Sequence, residues 1–96
     1  MVQNDKYVLL SAKTDYEKVG KSERLFFWYT VLKDYRRRFK RDKYGYTRVP
    51  SAVMKLDYGY DRIKVWRYNK ELEDKGLIKV DRVHRGGRTW IGYRIV

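Results

Sequence analysis

The last twenty residues constrain the fold most strongly, because they have the pattern of a single β-hairpin. The run "LIKVDRVHRGGRTWIGYRIV", residues 77–96, alternates apolar and polar side chains on both sides of Gly86 and Gly87. Two glycines between such runs favour a two-residue turn of the primed type, whose twist matches that of paired strands. The resulting register predicts these pairs: His84 with Thr89, Val83 with Trp90, Arg82 with Ile91, Val80 with Tyr93 and Ile78 with Ile95.

The same register assigns each strand residue to one face of the hairpin, because successive side chains of a strand point in opposite directions. The side chains predicted to face the core are Ile78, Val80, Ile91, Tyr93 and Ile95. Those predicted to face away from it are Lys79, Asp81, Val83, Trp90 and Arg94.

A long helix is predicted upstream, with Ser22 as its N-cap and its end at roughly Arg41. Gly45 in "DKYGYT" is the predicted stop, because glycine adopts the left-handed conformation beyond a helix end at little cost. The apolar stripe of this helix is wide, and consists of Leu25, Trp28, Tyr29, Val31, Leu32, Tyr35 and Phe39. Such a stripe is typical of a central core helix. The alternative is that aromatic residues of this helix also contact a second subunit, namely Phe26, Phe27 or Trp28.

Two shorter helices, separated by a tight turn, are predicted next. The first starts near Pro50 and Ser51, since proline suits the first helical turn, and its apolar residues are Val53, Met54 and Tyr58. The second has Asp61 as its N-cap and runs to about Lys75, where Gly76 closes it. With about 100° of rotation per residue, its predicted buried stripe is Val65, Tyr68 and Leu72. Its opposite face carries Arg62, Ile63, Trp66, Arg67 and Lys70.

Residues 1–21 are predicted to be an N-terminal arm or edge strand, with "KYVLL" at 6–10 as its apolar part. The remaining 22–96 form one domain, since 96 residues suffice for a two-layer core but not for a second lobe. The lack of cysteine excludes disulfides and thiolate metal sites. No signal segment or long apolar span is evident, so a soluble, cytoplasmic protein without membrane partners is expected.

The charge of the chain favours a polyanionic partner. Its 24 Lys and Arg against 12 Asp and Glu give a net charge of +12. The excess is concentrated in residues 36–48, where Asp42 is the one acidic residue, and in residues 82–94, which have none. The alternative is a solvated face that confers only solubility. The scarcity of asparagine, glutamine and cysteine also suggests a heat-adapted source.

Three helices with a tight turn between the second and third, followed by a basic hairpin, are the parts of a winged helix. The stretch "YNKELEDKGLIKVDRVHRGGRTWIGYRIV" resembles that family's recognition-helix end, its "L-E-x-K-G-L-I" exit and its wing. The resemblance covers residues 22–96, and the composition is similar to that of small winged-helix regulators from archaeal plasmids and viruses. It implies an α+β fold, a three-helix bundle with a C-terminal two-stranded β-hairpin wing.

The third helix is the predicted recognition helix, because a helix fits the major groove of B-DNA. Its cations can neutralise phosphates, and Arg62 and Arg67 can each donate two hydrogen bonds to guanine. Ile63 is suited to a thymine methyl group, and Trp66 can stack on sugar or shield a phosphate contact. The alternative is that Ile63 and Trp66 pack against the second helix or the hairpin. Carboxylates at Glu71, Glu73 and Asp74 are expected to confine the contact to the first two or three turns.

The other predicted contacts lie outside this helix. By resemblance, the wing at 82–90 follows the DNA backbone or enters the minor groove; the alternative is an ordinary solvated turn. Ser51 and Lys55 can anchor a backbone phosphate, and Arg48 precedes them. The complete predicted DNA-binding set is Arg48, Ser51, Lys55, Arg62, Ile63, Lys64, Trp66, Arg67, Lys70, His84, Arg85 and Arg88.

These features predict a sequence-specific double-stranded DNA-binding protein, a transcriptional regulator, acting as a homodimer. Catalysis, a cofactor, a metal and a small-molecule substrate are not expected, because His84 is the sole histidine and no close pairing of carboxylates or phosphate loop is present. The alternatives are a nucleoprotein component that coats DNA, or a plasmid partition or replication adaptor. RNA binding is less favoured, because the A-form major groove excludes a helix.

Overall fold

The computed structural model describes residues 11–81 and 90–96, which form an α+β fold with four helices and a small three-stranded sheet. The helices are α1 (11–18), α2 (Glu23–Arg38), α3 (Ser51–Tyr58) and α4 (Arg62–Asp74). The strands are β1 (Thr47–Pro50), β2 (Ile78–Val80) and β3 (Trp90–Ile95). In the described part of the chain, no helix has the length and apolar character needed to cross a membrane.

The predicted hairpin register is confirmed where the structure describes it. Strands β2 and β3 are antiparallel and pair Ile78 with Ile95, Lys79 with Arg94 and Val80 with Tyr93. Ile78 and Tyr93 are fully buried, whereas Lys79 is exposed. The pairs that involve residues 82–84 and 89, and the turn at 86–87, lie outside the described residues.

The sheet has one strand more than the sequence predicts. Strand β1 pairs with the other edge of β3, where Thr47 lies opposite Tyr93 and Val49 lies opposite Ile91. The strand order is therefore β1-β3-β2. Thr47 and Val49 are β-branched and fully buried, which favours a strand. The prediction missed it because β1 has only four residues and ends at Pro50, which reads as the entry to α3. Pro50 is the N-cap residue of α3.

The predicted end of the first helix is wrong. Helix α2 starts after its N-cap Ser22 as predicted, but it ends at Arg38, and Phe39 is already extended. Gly45 therefore does not close the helix. It lies in a turn built on Asp42, whose carboxylate Oδ1 accepts the backbone N–H groups of Tyr44 and Tyr46 at 2.8 and 3.0 Å. This turn redirects the chain into β1, and Gly45 contributes the positive φ of 84° that it requires.

Helix α2 forms the centre of the core, as its wide stripe predicts. Its buried residues are Leu25, Trp28, Tyr29, Val31, Leu32 and Tyr35. Trp28 is 0% exposed, so it cannot take part in a contact with a second subunit. Phe27 is half-exposed and packs edge-on against Tyr58, with ring centres 5.5 Å apart. The Tyr93 hydroxyl donates a hydrogen bond to the Leu32 carbonyl and so connects the sheet to α2.

A buried polar contact docks α4 on α2. The Trp28 indole Nε1–H donates to Oδ1 of Asn69 over 2.7 Å, and both residues are buried. Val65 and Leu72 are buried as predicted, whereas Tyr68 is only partly buried and Asn69 completes the stripe. A search for apolar periodicity misses Asn69 because its side chain is polar, although its position one turn after Val65 is right for the buried face.

Part of the N-terminal region is helical rather than an arm or strand. Residues 11–18 form α1, and its Tyr16 ring packs edge-to-face with Phe26 of α2, with ring centres 5.7 Å apart. Val19, which follows α1, is buried in the core. The Asp15 carboxylate Oδ2 binds the Lys33 ammonium at 2.5 Å. The predicted apolar strand at 6–10 lies outside the described residues.

We predict that Asn69→Ala destabilises the protein by about 2 kcal/mol, because it leaves the buried Trp28 N–H without its acceptor. Equilibrium unfolding in urea measures this loss. Lys70→Ala, at the next and exposed position of α4, is the matched control and should change the free energy of unfolding by less than about 0.5 kcal/mol. Equal stabilities of Asn69→Ala and Lys70→Ala would show that the hydrogen bond contributes nothing.

Candidate nucleic-acid interface

The turn between α3 and α4 fixes the start of the predicted recognition helix. Helix α3 ends at Tyr58, and Gly59 follows in the left-handed conformation with φ of 71°. Asp61 caps α4 as predicted, since its carboxylate Oδ1 accepts the Lys64 N–H at 2.8 Å. Only residues 59–61 separate the two helices, so α3 and α4 form a helix-turn-helix unit with little freedom between them.

One face of α4 is exposed and combines positive charge with apolar side chains. Ile63 is 67% exposed and Trp66 is 55% exposed, so neither is packed beneath α3 or the described strands of the hairpin. The predicted cations of this helix, Arg62, Lys64, Arg67 and Lys70, are exposed as well. The buried side of α4 faces α2 through Val65, Asn69 and Leu72. The arrangement places two apolar side chains among four cations on a surface accessible to a partner.

The carboxylates near the end of α4 do not neutralise this face. Lys70 makes a loose intrahelical pair with Asp74, with 4.0 Å between Nζ and Oδ1, while Arg67 and Glu71 form no such pair in the described chain. Exposed pairs of this kind contribute only about 0.2 to 0.5 kcal/mol. Glu73 has a structural role, because its Oε2 accepts the backbone N–H of Val80 at 3.0 Å. The cations of α4 therefore remain available to an anion.

A groove of about 730 Å³ runs beside this face, and Arg24 of α2 is one of its lining residues. Its lining residues are Arg24, Tyr60, Asp61, Ile63, Lys64, Arg67, Tyr68 and Glu71. The Lys64 ammonium lies 4.4 Å from the centre of the Tyr60 ring. Burial raises the pKa of Tyr60, Tyr68 raises it further, and the charge of Arg24 opposes both. Arg24 was not predicted, because no spacing pattern connects the first turn of α2 to α4.

Helix α3 presents two of the predicted phosphate contacts. Ser51 is its first residue and partly buried, and Lys55 follows one turn later and is exposed. Residues four apart lie on the same side of a helix, so Ser51 and Lys55 share a face. Leu56 is 87% exposed beside them and was not predicted as a surface feature.

Arg48 does not lie free for a phosphate, contrary to its predicted role. Its Nε donates to Oδ2 of Asp42 at 2.8 Å, and its Nη2 binds the Asp81 carboxylate. Between these partners the guanidinium crosses β3 at Gly92, where an added Cβ would lie only 3.1 Å from Nη1. The two acids are distant from each other in sequence, so the pairing follows from strand order and could not be read from spacing. Asp81 points away from the core as predicted, but Arg48 covers it.

This ion pair changes the titration of both partners. Burial acts to raise the pKa of Asp42, but hydrogen bonds from the Tyr46 N–H, the Arg48 side chain and the Tyr44 N–H together hold that pKa below its ordinary value. Burial acts to lower the pKa of Arg48, and its hydrogen bonds to Asp42 and Asp81 raise it overall. Asp42 and Arg48 are therefore both charged at neutral pH, and they attract each other across the sheet surface.

The predicted wing residues His84, Arg85 and Arg88 lie outside the described residues, so their roles stay predictions. Trp90, the first residue described after them, is exposed. Within residues 11–81 and 90–96, no group of three His, Cys, Asp or Glu side chains could hold a metal ion.

Comparisons with protein-family models, with curated proteins and with solved structures give no match. Function is therefore inferred from the side chains and their geometry.

We predict that the Asp42–Arg48 contact stabilises the protein in a pH-dependent way. Because the pKa of Asp42 is lower in the folded than in the unfolded chain, this contribution is present above the unfolded value of about 3.9 and is lost as pH falls through the folded value. Asp42→Asn should cost about 1 to 2 kcal/mol at pH 7, and the difference from wild type should vanish in acid.

Urea unfolding across this pH range measures the effect. Asp74→Asn is the control, because Asp74 is exposed and only loosely paired with Lys70. A difference between Asp42→Asn and wild type that stays constant down to pH 2 would contradict the assignment.

Proposed function

We propose that the protein is a winged-helix, sequence-specific double-stranded DNA-binding protein that acts as a transcriptional regulator. The observation that carries the proposal is the exposed face of α4, where Ile63 and Trp66 lie among Arg62, Lys64, Arg67 and Lys70. Exposed apolar side chains among cations are of little use to a merely solubilising surface, but both are used where a helix reads base edges. The helix-turn-helix unit followed by β2 and β3 is compatible with a winged helix.

Helix α4 has dimensions suited to the major groove. Its 13 residues span about 20 Å at about 1.5 Å per residue. The B-DNA major groove is about 12 Å wide and admits a helix of this kind. The N-terminal turns of α4 would enter first, since Glu71 and Asp74 would repel phosphate at the other end. Contact is therefore proposed for the first two or three turns of α4.

The proposed contacts divide into base reading and backbone anchoring. Arg62 and Arg67 donate pairs of hydrogen bonds to guanine, and Ile63 contacts a thymine methyl group. Trp66 packs on sugar. The anchoring residues are Lys64 and Lys70 on α4, Ser51 and Lys55 on α3, and, by resemblance, His84, Arg85 and Arg88 in the wing. Arg48 leaves the proposed set, because two carboxylates already bind it.

We propose further that the regulator binds as a homodimer on a site with two-fold symmetry, since such symmetry matches two recognition helices to two half-sites. The N-terminal region and exposed parts of α2, such as Phe27, are the candidate interface. Light scattering during size-exclusion chromatography measures the mass.

A second candidate function is a DNA-coating component or a partition or replication adaptor. It is favoured by the exposure of Phe27, Leu56 and Trp90, which lie outside the proposed reading face and could contact neighbouring proteins. Footprinting separates the two functions. A discrete protected site supports regulation, and a pattern that spreads with protein concentration supports coating.

We predict that Arg62→Ala and Arg67→Ala each weaken binding to the preferred duplex by about 1 to 3 kcal/mol and relax the preference at one base pair. The preferred site comes from selection of bound sequences out of random duplexes, and titration on preferred and scrambled duplexes measures the loss. Lys75→Ala is the charge-matched control, because Lys75 is exposed and follows Glu71 and Asp74 at the acidic end of α4. Equal losses on both duplexes for Arg62→Ala and Arg67→Ala would refute base reading.

We predict that Lys55→Ala instead weakens all duplexes alike, because Lys55 is proposed to contact only phosphate. The slope of log affinity against log salt concentration should fall by about one, since one fewer counterion is released. The same titrations at four salt concentrations measure this slope. An unchanged slope, or a loss confined to the preferred duplex, would remove Lys55 from the anchoring set.

A further inference from the structure

The groove between α2 and α4 contains a cation that the predicted DNA-binding set does not include. Arg24 is exposed and lies in the first turn of α2, yet it lines the same groove as Lys64 and Arg67. In the described chain it forms no ion pair with Asp61 or Glu71, the two acidic residues of that groove. An arginine without a carboxylate partner, beside two other cations, is suited to bind an anion supplied from outside.

The position of Arg24 relative to α4 is fixed by the core. Arg24 lies four residues before Trp28 and therefore on the same side of α2. Trp28 is fully buried, binds Asn69 of α4 and packs at 5.2 Å from the Tyr60 ring. The backbone of Arg24 is thus held close to the point where α2 and α4 are joined.

The remaining lining of the groove suits a phosphate rather than a base. The Tyr60 and Tyr68 rings line it with their centres 5.7 Å apart, and each phenol has a hydroxyl group that can donate a hydrogen bond. Arginine, lysine and tyrosine are among the side chains that contact DNA phosphates. The Asp61 carboxylate accepts the Lys64 N–H as a helix cap. The Glu71 carboxylate is expected to repel a phosphate from its end of the groove.

We propose that this groove binds one backbone phosphate of the DNA duplex whose major groove holds α4, and that Arg24, together with Lys64, neutralises its charge. The inference rests on the proposed DNA-binding function and extends it. Arg24 belongs to α2 and not to the helix-turn-helix unit, so the contact would connect the central core helix directly to the DNA backbone. It would fix the angle at which α4 enters the major groove without reading sequence.

The test combines an Arg24 variant with neutralised phosphates. A duplex of the preferred sequence is prepared with single methylphosphonate linkages, each of which removes one backbone charge, and the affinity of each duplex is measured for wild type and Arg24→Ala. On the unmodified duplex Arg24→Ala should bind about five to ten times more weakly, with the salt slope lower by about one. One linkage should weaken wild-type binding several-fold and weaken Arg24→Ala clearly less, because only Lys64 then remains at that phosphate.

Two further variants exclude indirect effects. Arg24→Lys should restore most of the salt slope, because it keeps the charge, and Lys75→Ala should bind like wild type at every linkage. Arg24 is exposed, so its substitution should leave the thermal midpoint near that of wild type. An Arg24→Ala protein that responds to every methylphosphonate as wild type does overturns the inference.

The outcome also separates this inference from the function on which it rests. If Arg67→Ala still relaxes base preference while Arg24→Ala changes nothing, the proposed groove contact is wrong and the proposed regulatory function still stands. If Arg24→Ala lowers the salt slope but Arg67→Ala loses affinity equally on all duplexes, the phosphate contact stands and base reading is wrong. Failure of the wild-type protein to bind any duplex overturns both.

Discussion

The hydrogen bond between the Trp28 indole and the Asn69 side chain determines which face of α4 remains at the surface. Both groups are buried, and a buried donor or acceptor without a partner costs about 1 to 3 kcal/mol. Shifting α4 by one residue would rotate it by about 100°, separating this pair and exposing Val65 and Leu72. Apolar contacts alone tolerate small rotations, whereas this directional contact does not. The orientation of Ile63, Trp66 and the neighbouring cations therefore depends on a contact made on the opposite side of the helix.

The sheet is held by a second polar contact, on its outer surface. Arg48 on β1 spans the central strand β3 at Gly92 and reaches Asp81, which follows β2, while Asp42 binds it from the preceding turn. One side chain thus connects all three strands and the turn that enters them. Arg48 lies in the most basic part of the chain and yet has a structural role. The central strand has Gly92 opposite it, because a Cβ at that position would crowd the guanidinium.

Helix α2 has two roles if the proposed phosphate contact holds. Its buried side forms the centre of the core, and its first turn carries Arg24 to the groove beside α4. A rigid core helix that also contacts the DNA backbone would limit rocking of α4 in the major groove. The acidic end of α4 is divided in a similar way, since Glu73 binds the backbone of β2 while Glu71 and Asp74 mark the boundary of the cationic face.

The sequence by itself determined the local elements of this protein. The caps Ser22 and Asp61, the buried stripe of α2, the start of α4 and the pairing of β2 with β3 all follow from signals within a few residues or from one alternating pattern. Only the tertiary structure decided the rest: that β1 joins the sheet, that Asn69 is buried, that Arg48 is bound by two acids, and that Arg24 lies beside α4. Each of these depends on contacts between segments far apart in the chain, and neither helical nor strand periodicity encodes which distant polar groups will meet.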